Sequence, residues 1–258
     1  MGKSVGFIGG GRIARILLGG LKRCNKLPAK IVVSDINAEP LKKLKALVPE
    51  ITTIVNGNKE AASCDIVFLA LHPPAIPSAA DEIRFALQET AILISLAPKV
   101  TMSRLKEMLG GFDRIARMIP NACSIVNSGY NPICFSPTIA QDERREILDW
   151  LSSLGECPEV AEEKLEAYAI LTGMGPTYFW FQWLELAELG KSFGLTAEES
   201  ADGLKKMLVG AVKTLFESGL PHHEVIDLIP AKPLIDEEQQ IRNAYRQKLS
   251  ALFDRIKP

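Results

Sequence analysis

The chain has 258 residues, 47% hydrophobic and 24% charged, a globular composition long enough for one large domain or two ordinary ones. Thirty basic residues oppose 31 acidic ones, a formal net charge of -1, and no long Lys/Arg run breaks that balance, so nucleic acid is not an expected partner. Cys24, Cys64, Cys123, Cys134 and Cys157 are far apart, with no CxxC pair and only three histidines, which argues against disulfides and structural zinc. There is no run of 18 apolar residues and no recognisable targeting signal ahead of the first strand pattern, so the expectation is a cytoplasmic protein without a membrane span or a metal.

The short apolar run Val5-Gly6-Phe7-Ile8 predicts a buried parallel strand, and Ile13, Ile16 and Leu17 recur at helical spacing after Gly9-Gly10-Gly11. Gly9, Gly11 and Ala14 form G-x-G-x-x-A in a strand-turn-helix setting, the pattern that holds a dinucleotide pyrophosphate. Gly9 permits the turn, Gly11 admits the phosphates, Ala14 lets helix and strand approach, and the free N–H groups of Arg12 and Ile13 face the anion. Lys30 to Asp35 is a second strand. Its terminal acid is spaced to accept the ribose hydroxyls of an NAD-type cofactor. Asp35 also reads as a turn carboxylate opening the next helix, and Arg12, Ser34 or Asn37 is able to assist a 2′-phosphate, so NAD and NADP both remain open.

The alternation continues with a helix at 41–47, a strand at 51–55, a helix or loop at 58–63, and a strand at 65–71 closed by His72-Pro73-Pro74. A helix at 78–87, a strand at 91–96 ending at Ala97-Pro98, a helix at 102–109 and a strand near 114–121 follow. In an open parallel sheet the ligand lies beyond the carboxyl ends of the strands, so Leu71, His72, Pro73 and Ala97 are expected to border the cofactor. Residues 129–135 read as one more strand, and from Gln141 helical patterns take over: 142–154, 165–171, 177–193, 198–218 and 237–256. Thr196 with Glu199 marks a capping box. The run Tyr178 to Trp183 is nearly apolar all round, which predicts burial in a homodimer interface assembled mainly by residues 160–220. The expected fold is α/β: a Rossmann-type dinucleotide-binding domain at 1–158, then an all-helical dimerisation and substrate domain at 159–258.

Several motifs together resemble pyrroline-5-carboxylate reductase. They are Gly6-Phe7-Ile8-Gly9-Gly10-Gly11, Leu69-Ala70-Leu71-His72-Pro73, Arg117-Met118-Ile119-Pro120-Asn121, Thr172-Gly173-Met174-Gly175-Pro176-Thr177-Tyr178, and Gly210-Ala211 through Glu217-Ser218-Gly219. The resemblance implies intimate dimers and NAD(P)H-dependent reduction of a cyclic imine to proline. The sequence departs from that family at its substrate side. Lysine is usual where His72 stands; Met174 replaces a serine; Ala122-Cys123 follow Asn121 instead of Thr-Pro; and Pro230 to Ile235 replace a Gly-Gly-Thr-Thr loop. Ser95-Leu96-Ala97-Pro98-Lys99-Val100-Thr101 stands where the family has S-x-A-A-G-V-T, which sets Lys99 at a glycine position.

The candidate catalytic residues are Asn121, Lys99, Thr172 and Thr177. Asn121 reads either as a contact to nicotinamide ribose or substrate, or as a turn asparagine. Lys99 is a cation for a substrate carboxylate or an exposed loop lysine, and the two threonines offer hydroxyls or act as caps. His222-His223 lack further ligands at metal spacing. The expected activity is reduction of a small imine or carbonyl compound with NAD(P)H. The alternatives are a working proline-forming reductase and a non-catalytic, nucleotide-binding dimeric regulatory protein.

Overall fold

Short strands with apolar residues at every position must be covered on both faces. The computed structural model, which describes residues 2–258, meets that demand with a layer of helices on each side of a sheet. In chain order the elements are β1 (Val5–Ile8), α1 (Arg12–Arg23), β2 (Ile31–Asp35), α2 (Ala38–Leu47), β3 (Thr52–Val55), α3 (Asn58–Ala62) and β4 (Ile66–Leu69). They continue with α4 (Ile76–Ile83), β5 (Ile92–Ser95), α5 (Met102–Met108), β6 (Ile115–Met118), β7 (Gly129–Tyr130), β8 (Ile133–Phe135) and α6 (Gln141–Leu151). β9 (Gly155–Glu156) and α7 (Leu165–Tyr168) follow, and α7 runs into a π-helical turn at Ala169–Gly173. The rest is helical: α8 (Trp180–Ser192), α9 (Ala197–Glu217), α10 (His222–Asp227) and α11 (Ile235–Ile256).

Seven strands form one sheet in the order β3-β2-β1-β4-β5-β6-β8. All neighbours are parallel except β6 and β8. The order reverses direction between β1 and β4, the switch point at which ligands bind in such sheets. Alternate residues feed two cores: Val5, Phe7, Ile66 and Phe68 on one face, with Ile8, Val67 and Leu69 on the other. Phe7 stacks on Phe68 at 4.7 Å between ring centroids, and Trp150 of α6 completes the cluster while donating its indole N–H to the Lys26 carbonyl at 3.1 Å. Burying each phenylalanine is worth roughly 1.5–3 kcal/mol.

The stretch 129–135 is two strands, not one. Pro132 has no N–H to continue a ladder, so β7 pairs with β9 in a separate two-stranded sheet while β8 runs antiparallel to β6. The fourth helix begins at Ile76, earlier than the spacing predicts, because Pro73–Ala75 already forms a 3₁₀ turn. α10 was not foreseen.

The chain divides into two compact units. The first runs to Met174 and takes in Leu252–Pro258; the second is Gly175–Ala251. Residues 159–174 belong to the first by packing, since Leu165 and Ala169 are buried with Ile119 and Cys134. In the second unit the Thr196–Glu199 capping box is formed, with Thr196 Oγ1 accepting the Glu199 N–H at 3.1 Å and Glu199 Oε2 accepting the Thr196 N–H at 2.8 Å. No described helix is long and apolar enough to cross a membrane.

Two carboxylates tie the first unit together. The Ser4 hydroxyl and amide both donate to Asp65 Oδ2 at 2.7 Å, joining the starts of β1 and β4, and these bonds hold the Asp65 carboxyl below its usual range. Arg114 at 2.6 Å does the same for Glu143 of α6. A pKa depressed by folding adds stability above the unfolded value, and that stability is lost as pH falls through the folded one. Unfolding free energy from urea titrations should therefore decline as pH drops below about 4. Asp65→Asn should make the decline shallower; an unchanged slope would remove Asp65 from the account.

Candidate active site

The carboxyl ends of β1, β2, β4, β5 and β6 open onto a single cleft of about 480 Å³. Each strand contributes the residues that follow it: Gly9 and Gly11 after β1, Ile36 and Asn37 after β2, Leu71 to Pro73 after β4, Leu96 to Pro98 after β5, and Ile119-Pro120 after β6. Ala169, Gly173 and Met174 of the π-helical turn and its exit complete the wall. π turns are uncommon and often mark functional sites.

The glycine turn has the geometry the motif requires. Gly9 has φ +104°, a conformation that side chains resist, and a Cβ there would collide with the Ala70 carbonyl. At Gly11 a Cβ would meet no protein atom within 4 Å. Nothing in the chain itself demands glycine there, so the open backbone is suited to a ligand's approach. Gly11 is also the N-cap of α1 and supplies no side-chain acceptor, which leaves the first N–H groups of the helix directed at that space. Buried Ala14 seats α1 against the sheet.

Asp35 fills the turn role expected of it, with its side chain at the cleft. Its Oδ2 accepts the Gly10 N–H at 2.9 Å and its Oδ1 accepts the Asn37 N–H at 2.9 Å, so the carboxylate braces the glycine turn and opens α2. Each oxygen keeps acceptor capacity for a hydroxyl from the cleft side. A pyrophosphate at Gly9–Gly11 and a ribose at Asp35 therefore fit the residues present.

The remaining candidates are distributed unevenly. His72 is exposed at the cleft mouth, with Leu71 and Pro73 half-buried and Ala97 buried beside it. Asn121 is buried and its side chain is engaged: Oδ1 accepts the Cys123 N–H at 2.8 Å and Nδ2 donates to the Thr172 carbonyl at 2.7 Å. It caps the 3₁₀ turn Ala122–Val126 and pins the π turn, while Ile119 and Pro120 form the adjacent wall. The Thr172 hydroxyl donates to the Tyr168 carbonyl at 2.9 Å. Lys99 is exposed, and its side chain is not part of the cleft lining. Thr177 belongs to the second unit, in an apolar groove with Tyr178, Phe181 and Tyr245. Burial raises the Cys157 thiol to about 12 and the Cys134 thiol to about 11, so neither supplies a thiolate near neutral pH. Among the described residues no group of three His, Cys, Asp or Glu side chains is gathered as for a metal ion.

Sequence reasoning missed Ile36, Leu96, Ile119 and Ala169. The first three follow strand ends and were within reach of the carboxyl-edge rule. Ala169 has no local signal, because only packing brings α7 beside β6.

A glycine turn, an acid at the end of β2 and a cleft at the switch point are the features of a dinucleotide-binding domain. The family described as "NADP oxidoreductase coenzyme F420-dependent" matches residues 4–99. Human pyrroline-5-carboxylate reductase 2 is 32% identical over 220 residues, covering 83% of this chain and 68% of the human protein. The chain belongs to the pyrroline-5-carboxylate reductase family. Among solved structures, the reductase from Coxiella burnetii is 27% identical with a TM-score of 0.72, covering 99% of this chain and 95% of that one. The Plasmodium falciparum pyrroline carboxylate reductase, solved with NADP bound, shares the fold at a TM-score of 0.81 and 20% identity, covering 98% and 95%.

Asp35→Ser should weaken NADH and strengthen NADPH, narrowing or reversing the preference by about tenfold, the equivalent of one charge-assisted hydrogen bond lost and one repulsion relieved. Titration of both nucleotides by fluorescence reads this out, and an unchanged ratio would remove Asp35 from the ribose site.

Proposed function

We propose that this chain is an NAD(P)H-dependent reductase of a small imine or carbonyl compound, with a substrate preference diverged from pyrroline-5-carboxylate. The observation that carries the reading is the apolar end of the cleft. Past the glycine turn the wall is Leu71, Leu96, Ala97, Ile119, Ala169 and Met174, and among the described residues His72 at the mouth is the one ionisable lining side chain there. A substrate carboxylate finds no lysine or arginine in that wall, and Met174 offers a thioether where the family resemblance implies a hydroxyl. A polar substrate group left unpaired is strongly discriminated against.

Bound NAD(P)H supplies the hydride. The protein's work is positioning: Gly9–Gly11 and the α1 amides hold the pyrophosphate, Asp35 takes the ribose, and His72 and Pro73 border the cofactor. Leu71, Ala97 and Met174 keep water from the reacting face, and Asn121 sets the π turn beside it. Orientation of this kind supplies much of the rate where the cofactor carries the chemistry.

We further propose a homodimer formed by the helical unit. α8 has no buried residue, and Phe181, Leu184, Val212 and Phe216 are more than half exposed in a single copy. A second copy is the partner best suited to cover such a surface.

Steady-state assays with pyrroline-5-carboxylate and with uncharged 1-pyrroline, using both nicotinamides, test the substrate reading. Pyrroline-5-carboxylate should give kcat/KM below about 10⁴ M⁻¹s⁻¹ and should be the poorer substrate of the two. A higher value would restore plain proline synthesis. If both nucleotides bind but a broad imine and ketone panel yields no turnover, the chain is a binding protein instead. Sedimentation over a range of concentrations should give twice the chain mass, and a persistent monomer would refute the dimer.

A further inference from the structure

One buried charge cluster lies outside the cleft lining yet touches two parts of the chain that form it. Arg117 on β6 is only 1% exposed. Its two terminal nitrogens reach Glu162 Oε1 at 2.9 Å and Glu166 Oε1 at 2.6 Å, while its Nε has no hydrogen-bond partner among the described residues. A buried ion pair is weak evidence for stability in itself, and an unpaired buried donor adds cost. The arrangement makes sense through what the carboxylates hold besides arginine. Glu166 Oε1 accepts the Lys99 N–H at 3.0 Å, and Glu162 Oε1 accepts the Met102 N–H at 2.7 Å. The two acids therefore grip the loop between β5 and α5 at Lys99, in its interior, and at Met102, where α5 begins.

That loop is strained. Lys99 has φ +75°, in the left-handed region that disfavours every residue with a Cβ. Ala97 and Pro98, immediately before it, line the cleft. Glu166 sits on α7, three residues before Ala169 and the π turn that lines another part of the same cleft.

We propose that the Arg117–Glu166 pair is a positioning latch for the substrate end of the cleft, with Glu166 holding Lys99 in its left-handed conformation so that Ala97 and Pro98 keep register with the π turn. Arg117 fixes Glu166, Glu166 fixes Lys99, and Lys99 contributes through its backbone amide while its ammonium group stays in solvent. The proposal rests on the reductase reading only in taking this end of the cleft to receive substrate and nicotinamide.

The test uses the full chain and three variants: Glu166→Ala, Glu166→Gln, and Glu166→Ala with Lys99→Gly. Three readouts are needed: the affinity for NADH and NADPH, the emission of the bound reduced nicotinamide, and hydride transfer in a single turnover. In Glu166→Ala the nucleotide affinities should stay within about threefold, because the glycine turn is untouched. The bound-nicotinamide emission should shift, and the transfer rate should fall by about 30-fold or more, as expected for a misplaced reacting pair. Adding Lys99→Gly should return the emission and recover about tenfold of the rate, since glycine adopts the left-handed conformation without the latch. Wild-type emission and rate in Glu166→Ala would overturn the proposal. So would failure of glycine to rescue, which would assign Glu166 to neutralising Arg117 alone.

If Glu166→Ala does not fold, Glu166→Gln carries the test, because its amide oxygen still accepts the Lys99 N–H. It should keep the emission and lie within about fivefold of the wild-type rate; a folded protein that loses both refutes the latch. Hydrogen exchange of the Lys99 amide and the nicotinamide emission decide the matter even if no substrate is turned over. Exchange should quicken about 100-fold in Glu166→Ala and by less than about tenfold in Glu166→Gln, and native protection in Glu166→Ala overturns the latch independently of the reductase reading.

Discussion

A parallel strand cannot turn back beside its neighbour; it must be re-entered from the same end, by way of a crossover. Six parallel strands bound to that rule discharge all their carboxyl ends at one edge of the sheet, and the helices that carry the chain back cover both faces. The cleft is the direct result. Its walls are the first residues after β1, β2, β4, β5 and β6, gathered because each strand begins and ends at similar height. The apolar packing of Phe7, Phe68 and Trp150 fills the core on one face of that sheet.

The glycine turn shapes the cleft edge by leaving groups out. Gly9 has no side chain because the Ala70 carbonyl takes its place, whereas Gly11 lacks one although the protein leaves the space open. The two glycines thus differ: the fold requires the first and leaves space at the second. Asp35 connects them to the end of β2 by accepting the Gly10 amide, so the glycine turn and the end of β2 are one hydrogen-bonded unit.

Polar groups near the other end of the cleft are mostly spent on structure. Asn121 ties a 3₁₀ turn to the π turn, the Thr172 hydroxyl bonds its own helix, and Glu166 and Glu162 hold the loop at Lys99. What faces the cleft there is largely carbon. A surface of that kind excludes water well and recognises charge poorly, a combination suited to hydride chemistry on a weakly polar substrate.

Much of this was legible in the residues alone. Short apolar runs with glycine and proline punctuation mark the strands, and G-x-G-x-x-A marks the turn between β1 and α1, because these signals are local: each depends on residues close together in the chain. For 129–135, Pro132 marks the break in the sequence, but the separate partners of β7 and β8 were not legible, since packing chooses them. The same holds for Asn121, whose amide looks available in the sequence, and for the backbone at Lys99. Partners 51 and 67 residues away claim the Asn121 side-chain amide and the Lys99 backbone amide. A side chain's type follows from the sequence, but whether its hydrogen bonds are free for a substrate is decided by long-range packing, which no local pattern records.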